Sequence, residues 1–197
     1  MTTLRLEELR QHSDVVRSKH GEAITVRFVE PRDAKALQDY FRGLSTRSRH
    51  DRFFGAISQL PPGLLERYIH VGEADQFSVV ATMEIDGRET IVGEARYAFD
   101  DETSSFEFGL SIDDRWHGRG IGAAILKNLE CRAAAFGAGR LFGETLRTND
   151  AMIALAGKSG YAFTPSPGDW KLVRFAKDIS LAPQGIPCAS WKLAKAA

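Results

Sequence analysis

The chain has 197 residues, of which 43% are hydrophobic and 26% charged, so it is long enough to bury the core of one globular domain. Lysine plus arginine and aspartate plus glutamate each number 26, and the zero formal net charge argues against wholesale binding to nucleic acid or to an anionic membrane. The sequence has no apolar run near the roughly 18 residues of a membrane-spanning helix.

The N-terminal half predicts one strand, three short helices and a hairpin. Residues 1–23 are polar and are expected to form an extension or a short, loosely docked helix. Asp86-Gly87 is a hairpin turn signal between two strand-like runs. The predicted elements are a strand over 24–29, helices over 31–43, 48–54 and 63–70, and strands over 76–85 and 90–97.

The C-terminal half begins with a strand over 105–112 whose two faces differ. One face carries Phe106, Phe108, Leu110 and Ile112, and the other carries Glu107, Gly109 and Ser111. A helix over 122–136, a strand over 140–146, a helix over 149–158 and a strand over 172–175 follow. We therefore predict one α/β domain over 24–164, an N-terminal extension over 1–23 and a C-terminal elaboration over 165–197.

The two cysteines, Cys131 and Cys188, lie far apart and lack the spacing of metal ligands, so no metal is predicted. Cys131 falls inside a predicted helix, which favours a buried, inert thiol. The expected compartment is a reducing cytoplasm.

A glycine-rich loop precedes the longest predicted helix. Gly118, Gly120 and Gly122 alternate with other residues, so main-chain N–H groups can converge beside the partial positive charge of a helix N-terminus. This arrangement binds phosphate, and the flanking Arg115 and Arg119 have side chains suited to phosphate oxygens. The spacing matches neither a mononucleotide P-loop nor a dinucleotide fingerprint, and a tight strand-to-helix turn is the alternative interpretation.

Two segments resemble motifs of the GNAT superfamily of acetyl-CoA-dependent N-acetyltransferases. Residues 107–122 resemble motif A, whose Gln/Arg-x-x-Gly-x-Gly/Ala pattern fits best from His117 to Gly122, with His117 where glutamine or arginine is usual. Residues 149–161 resemble motif B, with an asparagine followed twelve residues later by an aromatic residue after glycine. The resemblance covers about 24–163. It implies an α/β fold with a mixed, mostly antiparallel central sheet flanked by helices, a strand bulge, and the glycine-rich loop before the main helix.

The resemblance also implies acetyl-CoA as co-substrate and suggests which residues hold it. These residues are Leu110, Ser111, Ile112, His117, Gly118, Arg119, Gly120, Ile121, Gly122 and Asn149. Asn149 is equally well explained as a helix N-cap. Gly109 is a natural position for a β-bulge that frees an amide to bind the thioester oxygen, although the glycine could instead make room for a bulky neighbour.

Acetyl transfer needs a general base, because an amine with a pKa near ~10.4 is mostly protonated at neutral pH. Glu107 is the best candidate, since it precedes the loop on the same strand and matches the glutamate that GNAT enzymes often use. Glu94 is the reserve, with Glu144 after it, although both are more often surface residues. The motif B tyrosine that protonates the leaving thiolate in many members is replaced by Ala156, so no general acid is assigned.

Residues 44–54, residues 91–97 and Trp116 resemble the acetyltransferase domain of bacterial protein lysine acetyltransferases, which silence acyl-CoA synthetases. The resemblance implies direct transfer of the acetyl group, within a ternary complex, to a protein lysine. Two alternatives are acetylation of a small amine, such as a polyamine, an amino acid or an aminoglycoside, and a catalytically silent acyl-CoA-binding module. The arginines at positions 47, 49 and 52 are interpreted as a solvated helix face rather than as substrate contacts.

Overall fold

The structure is a computed structural model that describes residues 13–70, 76–100, 105–135, 138–179 and 188. Its centre is an eight-stranded sheet in the order β1-β2-β3-β4-β5-β6-β8-β7. The strands are β1 (Asp14–Arg17), β2 (Ala23–Phe28), β3 (Gln76–Ile85), β4 (Arg88–Asp100), β5 (Ser105–Ile112), β6 (Arg140–Leu146), β7 (Ala162–Pro165) and β8 (Leu172–Asp178). Within these ranges β5 and β6 are parallel, and every other neighbouring pair is antiparallel. The predicted mixed, mostly antiparallel sheet is confirmed.

Five α-helices in the described part of the chain flank this sheet. They are α1 (Ala34–Gly43), α2 (Thr46–Phe53), α3 (Pro62–Ile69), α4 (Ile121–Ala135) and α5 (Asp150–Lys158). The first three lie on the face that carries Ser111, where the Tyr40 hydroxyl from α1 is 3.0 Å from Ser111 Oγ. Helix α4 lies on the opposite face, where Ile125 and Ile112 crowd Gly93. Of the helices in the described residues, none has both the length and the apolarity needed to cross a membrane.

The predicted strands over 76–85, 105–112 and 140–146 have the observed bounds, and strands β1 and β7 were not predicted. Strand β1 lies within the segment assigned to an N-terminal extension, and it pairs with β2 along its whole length. A buried ion pair attaches it to α4, since Arg132 Nη2 lies 2.7 Å from Asp14 Oδ2. Asn128 donates to the same carboxylate at 3.0 Å. A strand of four residues is too short to show a clear periodic pattern, so neither β1 nor its attachment to α4 could be predicted from the sequence.

The interpretation of Cys131 as a free thiol is wrong. Cys131 of α4 forms a disulfide with Cys188, and both residues are buried. Disulfides are typical of oxidising environments, so the cysteines no longer argue for a reducing compartment. The cytoplasmic location stays a prediction.

Candidate active site

A cleft opens where the parallel strands β5 and β6 separate. Their pairing runs from Ser105 opposite Arg140 to Glu107 opposite Phe142 and then stops, while β6 continues along β8 as far as Leu146. The space between the diverging strands has a volume of about 350 Å³. Glu107 and Gly109 of β5, Glu144 of β6, Asn149 before α5, and Arg52 and Tyr68 from α2 and α3 are among the residues that line it.

The main chain of β5 turns hydrogen-bonding groups toward this gap. The Asp113 amide donates to the Val92 carbonyl at 2.9 Å, so these two opposed residues form a hydrogen-bonded pair between β5 and β4. Such pairs alternate with pairs whose amides and carbonyls point outward. Ile112 and Leu110 belong to these outward-pointing pairs, so their main-chain amides and carbonyls point away from β4. Both lie beyond the last β6 partner, as the predicted contact with acetyl and pantetheine groups requires.

The bulge predicted at Gly109 is wrong. The β4–β5 register is unbroken from Gly93 opposite Ile112 to Asp100 opposite Ser105. The sheet does contain a bulge, but it lies between β3 and β4, where Ala81 and Thr82 face Gly93 and Ile91 and leave Val92 as the extra residue. Outward-facing amides therefore arise because β5 and β6 diverge, without an interruption in β5.

Gly109 instead makes room for a large neighbour, which was the alternative interpretation. A β-carbon on Gly109 would lie 2.5 Å from Arg52 Nη1, inside the space that the guanidinium occupies. The Arg52 side chain is only 13% exposed. The predicted solvated helix face therefore holds for Arg47, whose side chain is 73% exposed, and is wrong for Arg52.

Arg52 holds a buried polar network under the cleft. Its Nε lies 2.6 Å from Oε1 of Glu94, whose side chain is 0% exposed, and its Nη2 donates to the Tyr68 hydroxyl at 3.0 Å. Ser111 Oγ donates to the same Glu94 oxygen at 3.1 Å. Glu94 is therefore a buried, paired carboxylate rather than the surface residue that the sequence suggested. It is in no position to replace Glu107 as an exposed base.

The network keeps its groups in fixed ionisation states. Burial opposes the charge on Arg52, but the adjacent Glu94 carboxylate outweighs it and raises the pKa of Arg52 above its ordinary value. Burial raises the pKa of Tyr68 to about 12, and burial also raises the pKa of Tyr40 well above its usual value. Both hydroxyls therefore stay neutral at physiological pH, and the ion pair is the only charged part of the network.

Removing Arg52 should destabilise the fold. Arg52→Met leaves the Glu94 carboxylate buried without its counter-charge, and we expect the free energy of unfolding to fall by about 3 kcal/mol or more. The double variant Arg52→Met/Glu94→Gln should recover part of this loss, because no unpaired charge remains. Chemical denaturation of both variants measures the effect. Equal stability of wild type and Arg52→Met would contradict the buried ion pair.

Glu107 differs from the other two candidate bases. Its side chain is exposed and lines the cleft at the point where β5 and β6 part. Glu144, on the opposite wall, is engaged by Arg174, whose Nη2 lies 2.9 Å from Glu144 Oε1. Among the described residues, Glu107 is the candidate carboxylate that faces the cleft without an ion-pair partner.

The glycine-rich loop has the backbone conformation that an anion cradle needs. Gly118 and Gly120 have φ values of +74° and +82°, a left-handed region that other residues rarely adopt. Ala124 donates the first intrahelical bond of α4, to the Gly120 carbonyl, so the amides of Ile121, Gly122 and Ala123 have no intrahelical acceptor. A β-carbon on Gly118 would meet no atom within 4 Å. The loop thus combines amides that lack intrahelical acceptors, a helix N-terminus and open space beside Gly118, as pyrophosphate binding requires.

The side chains around the loop have protein partners. Arg119 pairs with Glu22 in the β1–β2 turn at 2.6 Å, and Arg115 pairs with Asp113 at the same distance. His117 Nε2 lies 2.9 Å from the Ile112 carbonyl and fixes the loop to the end of β5. Both arginines predicted to flank a phosphate are therefore already neutralised. The main chain of the loop is therefore the candidate anion-binding element.

The β1–β2 turn lies against this loop. The Lys19 amide donates to the Arg119 carbonyl at 3.1 Å, and a β-carbon on Gly120 would lie 3.1 Å from that amide nitrogen. Gly120 therefore has two requirements, a positive φ and room for the turn. The alternating glycines indicate the first requirement in the sequence, whereas the second depends on contact with the distant β1–β2 turn.

Two other residues that were predicted to bind the coenzyme make structural contacts within the protein. Asn149 caps α5, since its Oδ1 accepts from the Met152 amide at 3.1 Å, and it also lines the cleft. The Ser111 hydroxyl donates to Glu94 and lies 3.0 Å from the Tyr40 hydroxyl, so its side chain is engaged within the protein. In motif B, Ala156 is fully buried, and the Tyr161 ring packs between Phe108 and Phe175.

Comparisons with known proteins agree with this geometry. An acetyltransferase of Pseudomonas aeruginosa is 27% identical over 149 residues, which are 76% of this chain and 80% of that protein. The GNAT domain of S. lividans PAT has a TM-score of 0.77 at 24% identity and covers 84% of this chain and 96% of that chain. A cAMP-binding acyltransferase from Mycobacterium smegmatis has a TM-score of 0.59 at 23% identity, over 97% of this chain and 59% of that chain. At these identities the structural matches establish the fold.

The family model for acetyltransferases of the GNAT family matches residues 36–161. This range includes both walls of the cleft, the glycine-rich loop and α5. Members of the family use acetyl-CoA as co-substrate, and the loop amides with open space before them fit its pyrophosphate. The chain belongs to the GNAT acetyltransferase family and is an acetyl-CoA-dependent acetyltransferase.

Proposed function

We propose that this enzyme transfers the acetyl group of acetyl-CoA to a lysine of another protein, with Glu107 as the general base. The observation that carries the proposal is the position of Glu107, an exposed carboxylate at the fork between β5 and β6. It lies on the same strand as the outward-facing main chain of Leu110 and leads directly to the glycine-rich loop. The base, the acetyl-binding main chain and the anion-binding loop thus follow one another along β5 and the segment after it.

The chemistry follows from this order. Glu107 accepts the proton of a lysine ammonium group, because only the neutral amine is a nucleophile. The outward-facing amide of Leu110 donates to the thioester oxygen as negative charge develops on it. Within a ternary complex the neutral amine attacks the thioester carbonyl directly, with no acyl-enzyme step. The C–N bond forms, the C–S bond breaks, and coenzyme A leaves as a thiolate that is neutralised by the second proton of the amine.

Two features favour a protein acceptor. The cleft is bounded by strand ends and short helices, a shape that admits a protruding loop. Phe54, at its α2 side, is 44% exposed, and an exposed aromatic ring at the edge of a site is typical of protein contacts. The resemblance to protein lysine acetyltransferases and the similarity to the GNAT domain of S. lividans PAT point the same way. An acyl-CoA synthetase is the candidate acceptor.

The test is mass spectrometry of purified acyl-CoA synthetases incubated with this enzyme and acetyl-CoA. We expect acetylation at one specific lysine, and loss of that signal with Glu107→Gln. A parallel panel of polyamines, amino acids and aminoglycosides tests the alternative, which is acetylation of a small amine. Efficient acetylation of a free amine with no protein modified would overturn the proposal.

A further inference from the structure

The cleft face of the sheet carries two unlike charges that do not pair. Glu107 of β5 stands opposite Ala98 of β4, and Arg96 of β4 stands opposite Gly109, so the two charged side chains are diagonal neighbours on one face. Diagonal neighbours in an antiparallel pair lie about 7–8 Å apart, within reach of long side chains. In the described part of the chain, however, neither Glu107 nor Arg96 forms an ion pair with any residue. Both line the cleft.

Among the described residues, Arg96 is held in place without an ion-pair partner. Its guanidinium carbon lies 5.3 Å from the ring centroid of Tyr68, which is buried and fixed by its hydrogen bond from Arg52. The buried carboxylate of Glu94 is already paired with Arg52. Burial lowers the pKa of Arg96, and the neighbouring cation Arg67 acts in the same direction. Arg96 is therefore a half-buried cation that has no ion-pair partner among the described residues and is held against a rigid ring, which is the arrangement that favours binding of an anion.

We propose that Arg96 binds a carboxylate of the acceptor, so that the preferred substrate carries an anionic group next to the amine that Glu107 deprotonates. This inference rests on the proposed function and narrows its substrate class. A guanidinium binds a carboxylate through two parallel, charge-assisted hydrogen bonds, which fixes orientation as well as position. An acceptor bound at both ends presents its amine to Glu107 in one orientation. The carboxylate can come from an acidic side chain beside a protein lysine or from the α-carboxylate of a free amino acid.

Capped peptides with a single lysine separate these sources. One peptide has glutamate on both sides of the lysine, a second has glutamine there, and a third has arginine; free lysine serves as the amino-acid arm. With the wild-type enzyme we expect the KM of the glutamate peptide to be about 10–100-fold below that of the glutamine peptide, since a charge-assisted hydrogen bond is lost in the second. Arg96→Gln should abolish that difference in KM between the two peptides.

Two variants guard against a merely structural effect. Arg96→Glu should transfer the preference to the arginine peptide, which a loss of stability cannot do. Arg88→Gln removes an exposed arginine from the other end of β4 and should change neither KM nor kcat.

Equal KM values for glutamate and glutamine peptides in the wild-type enzyme would overturn the role of Arg96 while leaving the lysine acetyltransferase activity intact. Conversely, acetylation of free lysine alone, with an Arg96-dependent KM, would keep the carboxylate site and refute the protein acceptor.

Discussion

Glu107→Gln should lower kcat by about 10²–10⁴-fold at neutral pH, the usual loss when a general base is removed. The amide keeps the shape of the side chain, which is exposed, so stability and coenzyme affinity should stay near their wild-type values. The deficit should shrink as pH rises, because the acceptor amine, with a pKa near ~10.4, then deprotonates without help. Stopped-time assays of acetyl-CoA turnover across the pH range, with calorimetry of coenzyme binding, measure both effects.

Glu84→Gln is the matched control for this substitution. Glu84 is also an exposed glutamate on a strand of the same sheet, but it lies on β3 and does not line the cleft. Its replacement should leave turnover unchanged. If Glu107→Gln retains near-normal turnover at neutral pH, the base is another group. Glu94 would be a poor substitute, because it is buried and paired with Arg52.

The sequence predicted most of the elements that build this site. Strand β5 was recognisable because four apolar residues share one parity, and the same alternation placed Glu107 on the other face. The loop was recognisable because Gly118 and Gly120 alternate before a helix, and both indeed have positive φ. These signals are local, since each depends on residues a few positions apart.

The features that were missed all depend on distant residues. Arg52 and Glu94 are separated by 42 positions, and neither one's sequence surroundings indicate a buried pair. Strand β6 pairs with β8 from Arg140 to Leu146 but with β5 only as far as Phe142, and no pattern in either strand indicates where that second pairing ends. Gly109 illustrates the ambiguity, because a glycine within a strand is compatible with a bulge and with a close approach, and only the position of Arg52 decides between them.

Gly118→Glu should abolish most coenzyme binding. The new side chain would place a negative charge where the loop amides and the N-terminus of α4 favour an anion. Loss of even two charge-assisted hydrogen bonds to phosphate corresponds to a rise in the dissociation constant of about 100-fold or more. Gly118 is a cleaner test than Gly120, since a β-carbon on Gly120 also crowds Lys19 whereas one on Gly118 meets open space.

The remaining concern is backbone strain, and Gly87 controls for it. Gly87 has a φ of +71°, close to the +74° of Gly118, and a β-carbon there also meets no atom within 4 Å. It lies in the β3–β4 turn and does not line the cleft. Gly87→Glu should therefore lose as much stability as Gly118→Glu, about 1–2 kcal/mol for a left-handed residue, and keep its coenzyme affinity. Isothermal titration with coenzyme A and thermal denaturation of both variants make the comparison. The two substitutions introduce the same backbone strain, so only Gly118→Glu should weaken coenzyme binding. Equal affinities of the two variants for coenzyme A would mean that the loop is only a tight strand-to-helix turn.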